Sequence, residues 1–458
     1  MPDTQILHHC VLDPWLSCRA GAARWCVAFS GGPDSSALLH LLRSWQMASQ
    51  QDTPQLIAIH VNHGMQGASD QWQRHCEALC DTWEIPIVVV QAVVENAGKG
   101  AEAAARDARY TAFEDELARG DVLFMGHHLD DQVETYFLRL MRGSGLSGLA
   151  AMSSARALGA GELLRPLLGI QRSELEAYVE HHQLTVIEDP SNLDIDIDRN
   201  YLRQTVLPLL ADRWKGYRQT VARAAGHASV AQSVIEQCLP EPATVVSVMG
   251  DPGIEAQALY SVSIDAAMIK IRSWLRAQGC SMPDQLLLAE FMRQLRESAA
   301  SASPRLSNGD FELQRFRSRI YLLPKLSEDV DTGGSERGIS LAIGEECPIP
   351  GLGKLTLVPA AAAGLRLDAQ DRLSVRWRRG GERCRPMGRA YNQRLKKLLQ
   401  EFLVPPWWRE HIPLLYLNDE LLAVAGLWLC ESSRLQLLDE DGSGLWEPRW
   451  ERKSLAFD

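Results

Sequence analysis

The stretch from Val27 to Leu42 restricts the fold more than any other part of this sequence. An apolar run, Trp25 to Ser30, stops at Gly31 and Gly32, and an apolar-periodic segment opens at Asp34 to Ser36. Glycine has no Cβ, so the backbone N–H groups of such a turn can approach an anion, and a helix N-terminus adds the positive end of its dipole. Strand, glycine turn and helix start together form a phosphate cradle. Hydroxyls on Ser30, Ser35 and Ser36 can add hydrogen bonds. Asp34 is an odd neighbour for phosphate unless it binds a cation. A capped glycine turn alone would explain the loop, but not its placement between a buried strand and a helix. No GxxxxGK[ST] segment occurs, so the cradle is not of the Walker type.

Around this loop, from Trp25 to about Leu210, short apolar runs alternate with helical patterns. The runs are Trp25 to Ser30, Leu56 to Val61, Ile85 to Val94 and Asp121 to Gly126. The helical stretches are Ser35 to Trp45, Asp70 to Trp83, Ala101 to Leu117 and Asp130 to Met141. Such alternation predicts an α/β fold, a doubly wound parallel sheet with ligands gathered beyond the carboxyl ends of its strands. The chain's 458 residues allow about three domains. Residues 1–210 form the expected nucleotide-binding domain, and 211–326 a mostly helical one, with amphipathic stretches at Ala266 to Gly279 and Pro283 to Glu297. Residues 327–340 have a linker's composition. A small α+β domain is expected over 341–458, with one strong helix at Gln393 to Phe402.

A charge of −11 argues against a uniformly basic coat for nucleic acid. Ten scattered cysteines form no CxxC pair, which points away from a zinc ribbon or thioredoxin-type site and towards a reduced, cytoplasmic protein. The first thirty residues have no basic start followed by an apolar core, and no apolar run approaches the roughly 18 residues of a membrane span, so neither export nor membrane embedding is expected.

Three further segments fall at the strand ends where ligands should collect. His60 and His63 follow the second strand; without a third ligand at suitable spacing they suit adenosine contact better than a metal. In Glu102 to Tyr110, Glu102 and Arg106 could form an ordinary helix pair, whereas Arg109 is the better candidate for neutralising phosphate. Gly126 to Thr135 begins with two histidines and carries Asp130, Asp131 and Glu134 at helical spacing. Acidic capping explains Asp130 alone. A divalent cation explains the carboxylate group better, with Asp34, Asp131 and Glu134 as its ligands.

The Ser-Gly-Gly-x-Asp-Ser loop resembles that of the PP-loop ATP pyrophosphatase superfamily. Within it, the chain is similar over most of its length to the tRNA(Ile)-lysidine synthetase family. The motifs are Ser30 to Ser35, His60 to Gly64, Glu102 to Tyr110, Gly126 to Thr135, Arg142 to Leu149, Glu188 to Asn192, and Arg199 to Arg203 before Val206 to Pro208. One departure is Asp198, where an aromatic residue is expected. The resemblance implies a ligase that uses ATP and Mg²⁺ to adenylate the wobble cytidine of an isoleucine tRNA with a CAU anticodon, releasing pyrophosphate. The amine of free L-lysine then displaces AMP. Asp34, Arg109, Asp131 and Glu134 would be catalytic, Ser30, Gly31, Gly32, Asp34, Ser35, Ser36, His60 and His63 would hold ATP, and Asn200 and Arg203 would lie near the RNA. Only a few lysine amines per ten thousand are neutral at pH 7, so a carboxylate should take the proton; Glu134 and Asp131 are both candidates.

RNA binding must then be local. Between Arg376 and Lys397 the chain carries nine basic residues and one acidic residue, Glu382, a charge of +8 that leaves −19 for the remainder. Arg376, Arg378, Arg379, Arg383, Lys396 and Lys397, with Trp377, Tyr391 and the Gly380 and Gly381 pair among them, suit phosphate contacts and base stacking. A monomer or homodimer is expected, and the sequence does not decide between them. A tRNA thiolase would call for catalytic cysteines and an ammonia-using synthetase for a glutaminase partner; a nucleotide-sensing RNA-binding protein has no need of the intact carboxylates.

Overall fold

The computed structural model describes residues 7–49, 52–62, 64, 69–92, 101–187, 189–299, 302–309, 311–325, 339–437 and 444–452, with backbone alone for 101–103. The chain divides into two compact units, Met1–Ile235 and Glu236–Asp458. His63, Glu188 and the side chain of Glu102 lie outside the described residues, as does the expected linker apart from Ile339 and Ser340, which open the strand Ile339–Leu341.

The first unit is built on a six-stranded sheet in the order β3-β2-β1-β4-β6-β5. Its strands are β1 (Arg24–Ala28), β2 (Gln55–Asn62), β3 (Ile87–Gln91), β4 (Val122–Phe124), β5 (Ala155–Leu158) and β6 (Gly161–Leu164). β1 pairs in parallel with β2 and β4, and β5 closes one edge antiparallel to β6. Alternate residues of β1 face opposite layers, as a period of two demands. Trp25 and Val27 pack with Leu38, Leu39 and Leu42 of the helix Pro33–Ala48, while Cys26 joins Phe113, Leu117, Leu123 and Leu163 on the other face. Both layers are apolar and fully closed, so the polar residues beyond the strand ends are held on rigid supports. The β5–β6 hairpin escapes notice in the sequence because Ala155 to Leu164 contains no β-branched or aromatic residue.

In the second unit the helices Ile264–Ala277 and Gln285–Glu297 bury Ile271, Trp274, Phe291 and Met292 against a sheet. That sheet has five antiparallel strands, β7 (Thr244–Val246), β8 (Pro252–Glu255), β9 (Arg305–Asn308), β10 (Phe311–Phe316) and β11 (Arg319–Pro324), in the order β7-β8-β11-β10-β9. The sheet lies within 211–326, the stretch expected to be mostly helical. Two further five-stranded sheets follow, with the helix Leu395–Glu401 packed into their shared core through Leu395, Leu398 and Leu399. Among the described residues no helix is long and apolar enough to cross a membrane.

Candidate active site

The glycine turn ends β1 and starts the helix Pro33–Ala48, with Gly32 as its N-cap and Pro33 in the first turn, where a missing N–H costs nothing. Ser35 Oγ ties the turn together: it donates to the Gly32 carbonyl (3.1 Å), accepts from Ser30 N–H (3.3 Å) and meets Ser30 Oγ at 3.1 Å. Gly31 has φ +78°, and a Cβ there would fall 2.6 Å from Ile187 Cδ1 and 2.9 Å from Cys76 Sγ. Ile187 donates its N–H to the Gly31 carbonyl at 2.9 Å, so the chain after the helix Arg172–His181 straps the back of the loop. Ser30, Gly32, Asp34 and Ser35 line a cavity of about 530 Å³. Gly31 and Ser36 do not line it. Ser36 is fully buried, and its hydroxyl has no partner among the described residues, so it sits behind the loop as a packing residue.

Asp34 stands in the first turn of this helix. Its Oδ1 is buried without a hydrogen-bond partner, and burial raises its carboxyl above the usual range, partly offset by His128. Gly126 makes this placement possible, since a Cβ there would stand 2.8 Å from the Asp34 carbonyl oxygen.

From the end of β4 come His127 and His128, and then the helix Leu129–Met141. His128 caps that helix by accepting from Asp131 N–H at Nδ1 (3.4 Å), while the Asp131 carboxylate accepts from His128 N–H (3.1 Å). Its Nε2 faces two carboxylates, Asp34 Oδ2 at 3.7 Å and Asp131 Oδ2 at 3.4 Å. Burial opposes ionisation of Asp131, but His128 and Arg199 outweigh it and hold the carboxyl below its ordinary value.

The other two acidic residues are engaged elsewhere. Glu134 is 1% exposed; Arg199 Nε binds one of its oxygens at 2.7 Å and Arg203 Nε the other at 2.7 Å. It does not line the cavity of the glycine loop but an adjoining one of about 510 Å³. Asp130 accepts from Arg172 N–H and from Arg218 Nε, which ties the helix Leu129–Met141 to two others. No group of three or more His, Cys, Asp or Glu suited to a metal ion occurs among the described residues. Asp34 and Asp131, one with an orphaned oxygen and both facing one imidazole, nevertheless fit a hard cation that takes most of its ligands from phosphate and water. Glu134 does not fit: guanidinium groups bind both its oxygens and it lies outside this cavity, whereas Asp131 lines the cavity and gives Oδ1 to Arg199 at 3.0 Å.

The opposite wall is cationic. Arg109 lines the cavity without a carboxylate partner among the described residues, and burial followed by the nearby Arg106 lowers its guanidinium pKa. Arg106 stacks over Tyr110 (5.1 Å), and Arg165 donates to the Tyr110 hydroxyl (3.1 Å). His60 pairs its Nδ1 with the Phe29 carbonyl at 2.9 Å; only a ring N–H can bond a carbonyl, so Nε2 keeps its lone pair in a residue that lines the cavity. Asn200 and Arg203 also line it, though the Asn200 amide donates to the carbonyls of Ser191 and Asp194 and so holds that loop. Sequence reasoning passed over His127, His128, Arg165 and Arg199. Their signal was the pair of histidines before two aspartates, and for Arg199 its place in the Arg199 to Arg203 motif.

In the second unit the basic residues are not equivalent. Arg376 pairs with Asp419 at 2.6 Å and stacks on Tyr416, and Lys397 pairs with Glu401 at 3.8 Å. Arg378 lies 3.9 Å from Glu382, and Arg383 donates to the Asn392 carbonyl. Arg379 and Lys396 are exposed with no ion-pair partner among the described residues. Gly380 and Gly381 both have positive φ, and Tyr391 is 79% exposed.

Comparison with known proteins agrees with this geometry. A PP-loop domain model matches residues 5–210, a TilS substrate binding domain model 270–321, and a TilS substrate C-terminal domain model 373–443. The chain is 38% identical to the tRNA(Ile)-lysidine synthase of Serratia proteamaculans, covering 96% of this chain and 99% of that protein. It is 40% identical to that of Pseudomonas aeruginosa, covering 96% and 95% respectively. Among solved structures, a tRNA thiolase of Methanococcus maripaludis aligns over 44% of this chain and 70% of its own at 19% identity and a TM-score of 0.38. With relatives this similar over nearly their whole length, the chain belongs to the tRNA(Ile)-lysidine synthase family.

Proposed function

We propose that this protein ligates free L-lysine to the wobble cytidine of tRNA(Ile) with a CAU anticodon, in two steps within the cavity of the glycine loop. The cytidine 2-oxo group attacks the α-phosphorus of ATP and pyrophosphate departs. The lysine ε-amine then attacks C2 of the activated base and AMP leaves. The observation that carries this reading is the meeting, in one cavity, of a phosphate loop, an Asp34 carboxylate with an orphaned oxygen and an Arg109 guanidinium with no carboxylate partner among the described residues.

Backbone N–H groups at the start of the helix Pro33–Ala48, with Ser30 and Ser35, hold the leaving phosphates, and Arg109 offsets charge at the α-phosphate. His60 offers its Nε2 lone pair to the adenosine. Asp34 and Asp131 would hold Mg²⁺, which neutralises the departing pyrophosphate when bound. Of the two carboxylates that could take the lysine proton, Asp131 lines this cavity and Glu134 does not, which favours Asp131. Glu134 acts through the arginines it fixes. Residues 1–210 carry the chemistry, and residues 211–326 and 341–458, joined through 327–340, hold the tRNA. With all ten cysteines as free thiols, a reduced, cytoplasmic setting fits, and the enzyme works as a monomer or homodimer.

The test is transfer of labelled lysine into a CAU-anticodon tRNA(Ile) transcript in the presence of Mg-ATP. Label in the RNA is the expected result. Binding of tRNA without transfer would favour a nucleotide-sensing RNA-binding protein.

A further inference from the structure

The turn between β10 and β11 consists of Arg317 and Ser318, and Arg317 adopts φ +57°. That left-handed conformation suits Gly or Asn, and a long branched-headed side chain there is uncommon. The Arg317 guanidinium lies 5.7 Å from the centre of the Phe316 ring. A second guanidinium, that of Arg409, lies 5.9 Å from the same centre. Beneath them the aromatic support is rigid: Trp407 packs edge-on to both Phe316 (6.0 Å) and Tyr321 (5.8 Å).

Arg378 is a third cation, close to Arg409. Burial, then Arg378, then Arg317 lower the pKa of the Arg409 guanidinium, so the three positive groups sit close enough to repel. Neither Arg317 nor Arg409 has a carboxylate partner among the described residues. Arg409 Nε is fixed by the Val404 carbonyl at 2.9 Å, and its two terminal nitrogens have no hydrogen-bond partner among the described residues. Nε of Arg378 is buried without a hydrogen-bond partner; Glu382 gives Oε1 to the N–H groups of Arg379 and Gly380 and holds Oε2 3.9 Å from that Nε, beyond hydrogen-bond reach. Three converging guanidiniums, one on a strained turn, are stable together when an anion with several acceptor oxygens lies among them.

We propose that Arg317 and Arg409, beside the Phe316 ring, form with Arg378 a phosphate subsite that clamps the RNA backbone. This rests on the reading that tRNA is the substrate. Of the three, only Arg378 belongs to the basic stretch evident in the sequence. Arg317 and Arg409 lie 61 residues before it and 31 after it, and only the fold unites them.

The experiment compares the full-length parent with Arg317→Gly and Arg317→Gly/Arg409→Gln. It measures tRNA(Ile) transcript affinity over a range of salt, lysine transfer at saturating tRNA, and Tm. Glycine tolerates φ +57°, so Arg317→Gly should keep or raise Tm while weakening tRNA binding several-fold. The double variant should lose about tenfold or more, with the log–log salt slope smaller by about 2. KM for tRNA should rise while kcat holds, since neither residue lines the cavity of the glycine loop. A parent that binds tRNA beside variants with unchanged affinity and salt slope would overturn the subsite alone. A parent that binds no tRNA would overturn the substrate reading with it.

Discussion

Arg165 donates its Nε–H to Nδ1 of His127 across 3.2 Å. A guanidinium cannot accept a hydrogen bond, so Nδ1 must keep its lone pair and Nε2 must carry the proton. Burial pushes the His127 pKa down to about 3, with Asp131 pulling the other way and Arg165 adding to the depression. His127 is therefore a neutral N–H donor lining the cavity throughout the working pH range. Nitrogen-15 NMR of the parent should show the Nε2–H tautomer unchanged from pH 8 to pH 5. Arg165→Met should release the tautomer and cost about 10- to 100-fold in turnover, the loss of one oriented donor. A His127 resonance titrating near 6.5 in the parent would disprove the assignment.

The same physics sets an acid limit on stability. Burial, then His182 and Arg43, lower His40 to about 4, and its Nδ1 lies 2.7 Å from the Tyr178 hydroxyl. With a folded pKa below the unfolded value of 6.5, the unfolded chain takes up the proton first. Stability is untouched above about pH 6.5 and falls as the pH drops from there towards 4. Urea midpoints of the parent should decline between pH 6.5 and 5, and His40→Gln should decline less steeply. Equal slopes would show that His40 contributes nothing to the acid limb.

Glu134 offers a separation of roles. With Arg199 and Arg203 on its two oxygens, Glu134→Ala leaves a pair of half-buried guanidiniums short of one charge, at a cost of about 1–3 kcal/mol. Glu134→Gln keeps the shape and should cost less. If Glu134 works through those arginines, the Mg²⁺ concentration for half-maximal turnover should stay within about twofold of the parent in Glu134→Gln. A shift of tenfold or more would make Glu134 a metal ligand after all.

The glycine loop, the parallel sheet and the face of the helix carrying Asp131 were legible in the sequence because each depends on local pattern: period two, period 3.6, or a turn that only glycine makes. Glu134 was not, because helical spacing places a carboxylate on a face but says nothing of what arrives from residues 199 and 203, some seventy positions on. Charge counting had the same limit. It marked Arg376 and Arg379 alike, yet the turn at Asn418 and Asp419 brings a carboxylate to the first and none to the second. Arg317 lay beyond any such reading, since its neighbours are assembled only by the second unit's fold.

Gly126 tests how closely the site is fitted. A Cβ there would meet backbone, 2.8 Å from Asp34 O and 3.0 Å from Asp34 C, so relief requires the start of the helix Pro33–Ala48 to move. Gly126→Ala should cost about 1–3 kcal/mol of stability. Its larger effect should be on turnover, a loss of about 100-fold, as expected when a reacting group is displaced by about 1 Å. Turnover and Tm both matching the parent would mean that the carboxylate of Asp34 is not held by this contact.

Arg376 and Arg379 provide the final comparison. Both carry one charge on the same segment, but Arg376 is already neutralised by Asp419 and stacked on Tyr416, whereas Arg379 is exposed without an ion-pair partner among the described residues. A guanidinium that must first leave a carboxylate releases fewer counterions on meeting RNA. Arg379→Gln, alone or with Lys396→Gln, should therefore weaken tRNA binding and flatten its salt dependence by about 1 per residue, while Arg376→Gln changes either by less than half as much. Binding titrations at four salt concentrations distinguish the two. Equal effects would mean that RNA displaces Asp419 at no cost, and that formal charge rather than pairing governs the segment.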